Sequence, residues 1–380
     1  MAADGRRSKR QAAVAGGEAR ALIHLVLGTK AQFIKMAPIM VELERRRVPY
    51  NFLFTGQHQQ HIDEMLAGFA LRLPDHVLRV GGDLTRVRSL MGWFARHSLS
   101  LLGKCREYFQ RDRGGIVLVH GDTASTLLGA LMGRAAGLVV AHVEAGLRSA
   151  RALQPFPEEL IRRMVFRLSR VLFCPGAWAV DNVRHLQKET VNTGHNTLLD
   201  ALRLVSGNGQ PTDHVPQHPF GLVSIHRYEN VFRPATFARI LRLIENAAER
   251  VPLLFIMHPV TERRLMESGW LERLEGNPRI QLRRRYPYSA FMALLRQAEF
   301  LITDGGSNQE ESFYLGIPCL LMRQVTERTE GLGANVVLSG CQEAVVTRFI
   351  ANYPNHRLPP SRPSCSPTHI IVDTILTYAS

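Results

Sequence analysis

Two apolar runs in this chain each end in a carboxylate close to a glycine. Val117-Leu118-Val119-His120-Gly121-Asp122-Thr123 is followed, a short helix later, by Val139-Val140-Ala141-His142-Val143-Glu144-Ala145-Gly146-Leu147-Arg148. Ligands of open α/β sheets bind at the carboxyl ends of the strands, so Asp122 and Glu144 should stand side by side at the mouth of one cleft. Neighbouring carboxylates repel each other and hold anions poorly; proton transfer is a use for such a pair. A third acid, Glu158, opens a helix in Pro157-Glu158-Glu159, a place that the helix dipole alone also favours. Ser224-Ile225-His226-Arg227 ends another run with an imidazole that can titrate near neutrality, although a strand-end histidine is more often structural.

Other residues suit an anion. Gly28-Thr29-Lys30 follows the first apolar run and Lys35 lies in the next helix: an anion-binding turn, or a plain strand–helix turn with surface lysines. GxGxxG and GxxxxGK[ST] are absent, since Gly103-Lys104 is followed by Cys105, which argues against ordinary dinucleotide and ATP-hydrolysing folds. Further on, Asp304-Gly305-Gly306-Ser307 joins the run Leu301-Ile302-Thr303 to a helix opened by Asn308-Gln309-Glu310-Glu311. Backbone N–H groups of Gly306, Ser307 and Asn308 can cradle a phosphate, and Glu310 or Glu311 can accept both hydroxyls of a ribose. Helix capping explains the acids but not the double glycine. Arg328, in Thr326-Glu327-Arg328, suits a phosphate or a neighbouring acid. His58 and His61 have HxxH spacing without a third ligand nearby, so no metal is expected.

The elements that must position these residues alternate. Apolar runs at 22–27, 50–54, 116–119, 139–143, 171–173, 221–225, 253–257, 280–283, 300–303 and 318–322 read as strands, and amphipathic stretches at 34–44, 158–168, 234–246 and 288–297 as helices. That pattern implies parallel sheets covered by helices, in two sheets rather than one of ten strands. The expected organisation is a disordered extension at 1–20, a Rossmann-like domain at 21–200, a second at 201–355, a Pro/Ser linker at 356–367, and a helix within 368–380 returning to the first domain. The active site is expected between the domains.

Composition narrows the class. The chain has 380 residues, a hydrophobic fraction of 45% and no apolar run as long as a membrane span, so no membrane insertion is expected. Arg6-Arg7 precedes too short an apolar stretch for export, which favours the cytoplasm. Five cysteines lack paired spacing, against a disulfide framework or zinc site. The formal charge of +14 is scattered over helix faces without interleaved aromatics; it suits an anionic small molecule and does not point to nucleic acid.

Taken in order, these motifs resemble the non-hydrolysing UDP-N-acetylglucosamine 2-epimerases from about Leu22 to about Gly340. The matching stretches are Gly28-Thr29 with Ile34-Lys35-Met36-Ala37-Pro38, Thr55-Gly56-Gln57-His58, His120-Gly121-Asp122-Thr123, His142 to Arg148, Pro157-Glu158-Glu159, Thr193-Gly194, His226-Arg227, Gln309-Glu310-Glu311 and Thr326-Glu327-Arg328. The resemblance implies a GT-B fold: two Rossmann-like domains with parallel sheets facing a central cleft, and a C-terminal helix returning to the first. It implies interconversion of UDP-N-acetylglucosamine and UDP-N-acetylmannosamine through UDP elimination to a 2-acetamidoglucal and re-addition, in the cytoplasm, for cell-surface polysaccharide precursors. It implies no cofactor, and a homodimer as the assembly.

Carried over by motif, Asp122, Glu144 and Glu158 are the acid/base carboxylates, assisted by His226. Lys30, Lys35, Arg148, Arg227 and Arg328 lie on the substrate with Gly305, Gly306, Ser307, Gln309 and Glu310; Glu311 holds the ribose and Phe291 lies near the uracil. Gln57 and Gln60 match part of a second, activating substrate site of bacterial members. The chain departs from the family at Lys30-Ala31-Gln32, where Arg-Pro-Glu is usual, at Asp304-Gly305-Gly306-Ser307 in place of Asp-Ser-Gly-Gly, and at Thr329 in place of proline. Alternatives that share the fold are a 2-epimerase for a modified sugar such as a UDP-2,3-diacetamido uronic acid, a hydrolysing 2-epimerase, and a GT-B glycosyltransferase.

Overall fold

The computed structural model describes residues 22–56, 66–78, 103–148, 157–206, 215–326 and 328–379. Their strands form two wholly parallel sheets. The first has seven strands in the order β3-β2-β1-β4-β5-β6-β7: β1 (Ile23–Leu27), β2 (Tyr50–Phe54), β3 (His76–Val77), β4 (Ile116–His120), β5 (Val139–Val143), β6 (Val171–Cys174) and β7 (Glu189–Asn192). The second has six, in the order β10-β9-β8-β11-β12-β13: β8 (Gly221–Ser224), β9 (Leu253–Met257), β10 (Ile280–Arg284), β11 (Phe300–Thr303), β12 (Cys319–Leu321) and β13 (Val336–Leu338).

Each expected apolar run is a strand. β3, β7 and β13 escaped that reading, and all three are sheet edges. An edge strand is covered on fewer sides and needs no apolar run: β7 is Glu-Thr-Val-Asn and partly exposed throughout. In both sheets the strand order reverses direction beside the first strand, between β1 and β4 and between β8 and β11, which is the topological switch point where α/β sheets bind ligands.

The helices that matter for the site follow those strands. Helix α1 (Lys30–Arg45) opens with a capping box: Thr29 accepts from the backbone N–H of Gln32, and the Gln32 side chain accepts from that of Thr29. Helix α2 (Ala124–Ala136) follows β4 and α3 (Glu158–Leu168) precedes β6. Helix α4 (Leu198–Ser206) leaves the first sheet, and α5 (Gly306–Leu315) follows β11. Helix α6 (Pro367–Leu376) packs on α1 and α4, so the end of the chain lies against the first sheet's layer. Asp200 of α4 ties it there, accepting from Ser366 Oγ at 2.6 Å and Thr368 N at 3.0 Å.

One apolar cluster runs from Ile23, Phe33 and Phe52 through Leu198 and Leu202 to Leu222, Leu254 and Leu301, so α4 links the cores of both sheets. All five cysteines are free thiols. Among the described residues no helix is long and apolar enough to cross a membrane.

Candidate active site

The opening pair leaves adjacent strands. β4 and β5 run in register with His120 beside Val143, so Asp122 and Glu144 follow one sheet edge. Gly121 there has φ +70° and Glu144 φ +62°. Glycine adopts that conformation freely; a residue with a Cβ carries a cost of about 1 kcal/mol. The turn is braced by neutral His142, whose Nε2–H donates to Gly121 O at 2.7 Å. Burial pushes the His142 imidazole down to about 3.

The Glu144 carboxylate is buried among cations. Lys35 Nζ lies 2.7 Å and Arg328 Nη2 3.0 Å from its Oε1, and His120 Nε2 lies 3.1 Å from its Oε2. The same two cations meet Glu310 Oε2, Lys35 at 3.0 Å and Arg328 Nη1 at 2.8 Å. Lys35 and Glu144 belong to the first sheet's layer, Glu310 and Arg328 to the second's, so this square of charges spans the cleft. Burial opposes ionisation of Glu144, but Lys35, Arg328 and His120 outweigh it and hold the carboxyl well below its ordinary range. Burial dominates at Glu310 and raises it, against the pull of Arg328 and Lys35.

Asp122 ion-pairs with Arg162, one turn along α3 from Glu158. Arg162 also lies 3.5 Å from fully buried Glu159, which accepts from Arg148 Nε at 2.7 Å and Arg163 Nε at 3.3 Å. Glu158 has a buried Oε2 without a hydrogen-bond partner. Burial, and then the charge of Asp122, raises its carboxyl above the ordinary value. Such an acid keeps a proton to higher pH and can donate it.

In the second layer, fully buried Asp304 fixes the loop after β8, accepting from His226 N at 2.9 Å, Arg227 N at 3.0 Å and Asn230 Nδ2 at 3.0 Å. The His226 ring stacks on His258 with centroids 5.6 Å apart. Burial lowers the His226 pKa, against the nearby Asp304 charge. A Cβ on Gly305 would stand 2.9 Å from His226 Cε1 and 2.7 Å from Asn308 Oδ1, so this turn requires glycine to approach the imidazole. Gly305 caps α5, with Gly306 and half-buried Ser307 in its first turn. Glu311 accepts from Asn308 Nδ2 at 2.8 Å, and burial raises its carboxyl to about 7.

Other expected residues stand differently. Gln309 braces the following loop, donating to Glu330 O at 2.9 Å and accepting from Thr326 Oγ1 at 2.9 Å. Phe291 is buried in the apolar cluster that joins the sheets. Arg227 pairs with Glu229 at 3.1 Å, and Lys30 is the half-buried first residue of α1. Gln57 and Gln60 lie outside the described residues. Among the described residues no group of three or more His, Cys, Asp or Glu side chains is arranged to hold a metal ion.

The sequence reading assigned no role to Arg162, Asp304 or Gln32. Arg162 was accessible through its i,i+4 spacing from Glu158. Asp304 is in view only as a strand end, and Gln32 only as part of the Lys30-Ala31-Gln32 departure; their partners 74 to 94 residues away carry no local signature.

A family model described as UDP-N-acetylglucosamine 2-epimerase matches residues 41–361. The chain belongs to the UDP-N-acetylglucosamine 2-epimerase family. A Bacillus subtilis UDP-N-acetylglucosamine 2-epimerase is 32% identical over 326 residues, spanning 84% of this chain and 83% of the relative. A Pseudomonas aeruginosa UDP-2,3-diacetamido-2,3-dideoxy-D-glucuronate 2-epimerase is 29% identical, over 84% of this chain and 89% of the relative. The crystal structure of Methanocaldococcus jannaschii UDP-GlcNAc 2-epimerase in complex with UDP-GlcNAc and UDP superposes with a TM-score of 0.79 at 26% identity, covering 94% of this chain and 99% of that one. The fold is therefore GT-B, and this member of the epimerase family is an epimerase.

Proposed function

We propose that the protein interconverts UDP-N-acetylglucosamine and UDP-N-acetylmannosamine without releasing free sugar. A proton leaves C2 as the C1–O bond to UDP breaks on the opposite face. The resulting 2-acetamidoglucal is reprotonated at C2 on its other face as UDP re-adds at C1. Atoms balance with no oxidant or cofactor.

The observation that carries this reading is the charge square: a cation from each layer, Lys35 and Arg328, converges where Glu144 sits. A departing diphosphate needs such positive charge, and the C2 proton needs a carboxylate beside it. Asp122, Glu144 and Glu158 carry the proton transfers, with Glu158 suited to giving a proton by its raised affinity. His226, the Gly305–Ser307 turn and Lys30 attend the diphosphate, and Glu311 the ribose. We assign this activity to the cytoplasm and to a homodimer, supplying cell-surface polysaccharide precursors.

Incubation with UDP-N-acetylglucosamine in deuterated water, followed by NMR, should show deuterium at C2 and formation of UDP-N-acetylmannosamine. Absence of both, with activating substrate present, overturns the reading. A second reading rests on the altered turns Lys30-Ala31-Gln32 and Asp304–Ser307 and on the relative named for a diacetamido glucuronate: the same chemistry on a modified UDP-sugar. Faster turnover of that sugar in the same assay would favour it. Free reducing sugar among the products would instead point to hydrolysis. Acceptor-dependent sugar transfer without C2 exchange would point to a glycosyltransferase.

A further inference from the structure

Gln32 stands on the first turn of α1, touches none of the charged groups just described, and is buried. Its amide nevertheless joins the site's two principal turns. Oε1 accepts from the N–H of Gly28 at 2.9 Å and of Thr29 at 3.1 Å. Nε2 donates to the carbonyl of His120 at 2.7 Å and to Thr126 Oγ1 at 2.9 Å. The orientation of the amide is set by chemistry, because a flipped amide would set donor against donor and acceptor against acceptor at these contacts.

The first two bonds fix the turn that presents Lys30. The third fixes the carbonyl two residues before Asp122, on the side of β4 opposite His142. We infer that Gln32 is a positioning residue, locking the Asp122 turn to the Gly28–Lys30 turn so that acid/base carboxylate and anion-binding turn keep one geometry. This rests on the proposed epimerase chemistry. A glutamate here would accept from both N–H groups and from the Thr126 hydroxyl and so keep the connection, whereas an apolar side chain of the same length would sever it.

The test is Gln32→Met in the full-length protein, assayed by epimerisation and C2 exchange. It removes all four bonds at nearly constant size, and kcat should fall at least about tenfold with KM changed less than about twofold. Gln32→Glu, which still accepts from both N–H groups and from the Thr126 hydroxyl, should restore kcat to within about threefold of the parent. Parental kcat in Gln32→Met, or losses confined to KM, overturns the inference. If Gln32→Met does not fold, Gln32→Asn decides, because its amide is one methylene too short to reach both turns: kcat equal to the parent's overturns the inference. Lack of C2 exchange by the parent protein would instead count against the epimerase reading itself.

Discussion

Glu144 and Glu310 share two cations yet differ in proton affinity, because Glu144 has His120 as a further partner while one oxygen of Glu310 is buried without a hydrogen bond. The neighbouring acid Glu311 shows the consequence most plainly. Its carboxyl, raised to about 7 from 4.5, binds a proton more tightly in the folded protein than in the unfolded chain. The associated stability is fully present below pH 4.5 and is lost as pH rises through 7. Glu311→Gln removes that loss. The variant should be more stable than the parent at pH 8 by on the order of 2–3 kcal/mol, seen as a higher melting temperature, with the gap closing toward pH 4.5. If Glu311 accepts the ribose hydroxyls, the same variant should bind UDP about tenfold more weakly at pH 8, as calorimetry would measure. Greater stability with weaker binding marks a carboxylate retained for its ligand. At this scale the sequence disclosed the acids, which are motif residues, but not their pairing. That Lys35 meets Glu310 depends on a contact spanning 275 positions.

Elements were more legible, for reasons that vary with their surroundings. Central strands announce themselves because both faces are buried and most residues are apolar; β1, β2 and β4 are buried at every position, each with a single His or Asn among apolar residues. Edge strands β3 and β7 lack that constraint, and β13, Val-Val-Leu, is apolar but only three residues long. Helix α1 starts at Lys30, earlier than its amphipathic stretch suggests, because the Thr29–Gln32 capping box adds a polar first turn and Pro38 is accommodated inside it. The C-terminal helix was expected from its apolar spacing, whereas its anchor, Asp200, is a long-range partner. Asp200→Ala should leave Ser366 and Thr368 without that acceptor and cost about 1–2 kcal/mol. It would be seen as a lower melting temperature and faster proteolysis of the 357–366 segment.

At the scale of the molecule, the charge square joins the two layers directly. Glu310→Gln leaves Lys35 and Arg328 with one carboxylate instead of two; the buried positive charge in excess costs more than is regained by no longer burying the Glu310 charge. The variant should melt several degrees below the parent when free, and gain more than the parent on adding UDP, whose diphosphate replaces the lost charge. Differential scanning with and without UDP would measure both. The reading of two Rossmann-like layers with the site between them followed from alternating strands and helices. Which charges close the cleft did not, because only the folded chain brings α1, the turn after β5, α5 and the loop holding Arg328 together.

The chain passes between the layers twice, once after α4 and once before α6, and the carboxylate of Asp200 fastens the end of the second crossing to the helix that begins the first. The first layer is thus made of two stretches separated by the whole of the second, and its packing is complete only once α6 has been synthesised.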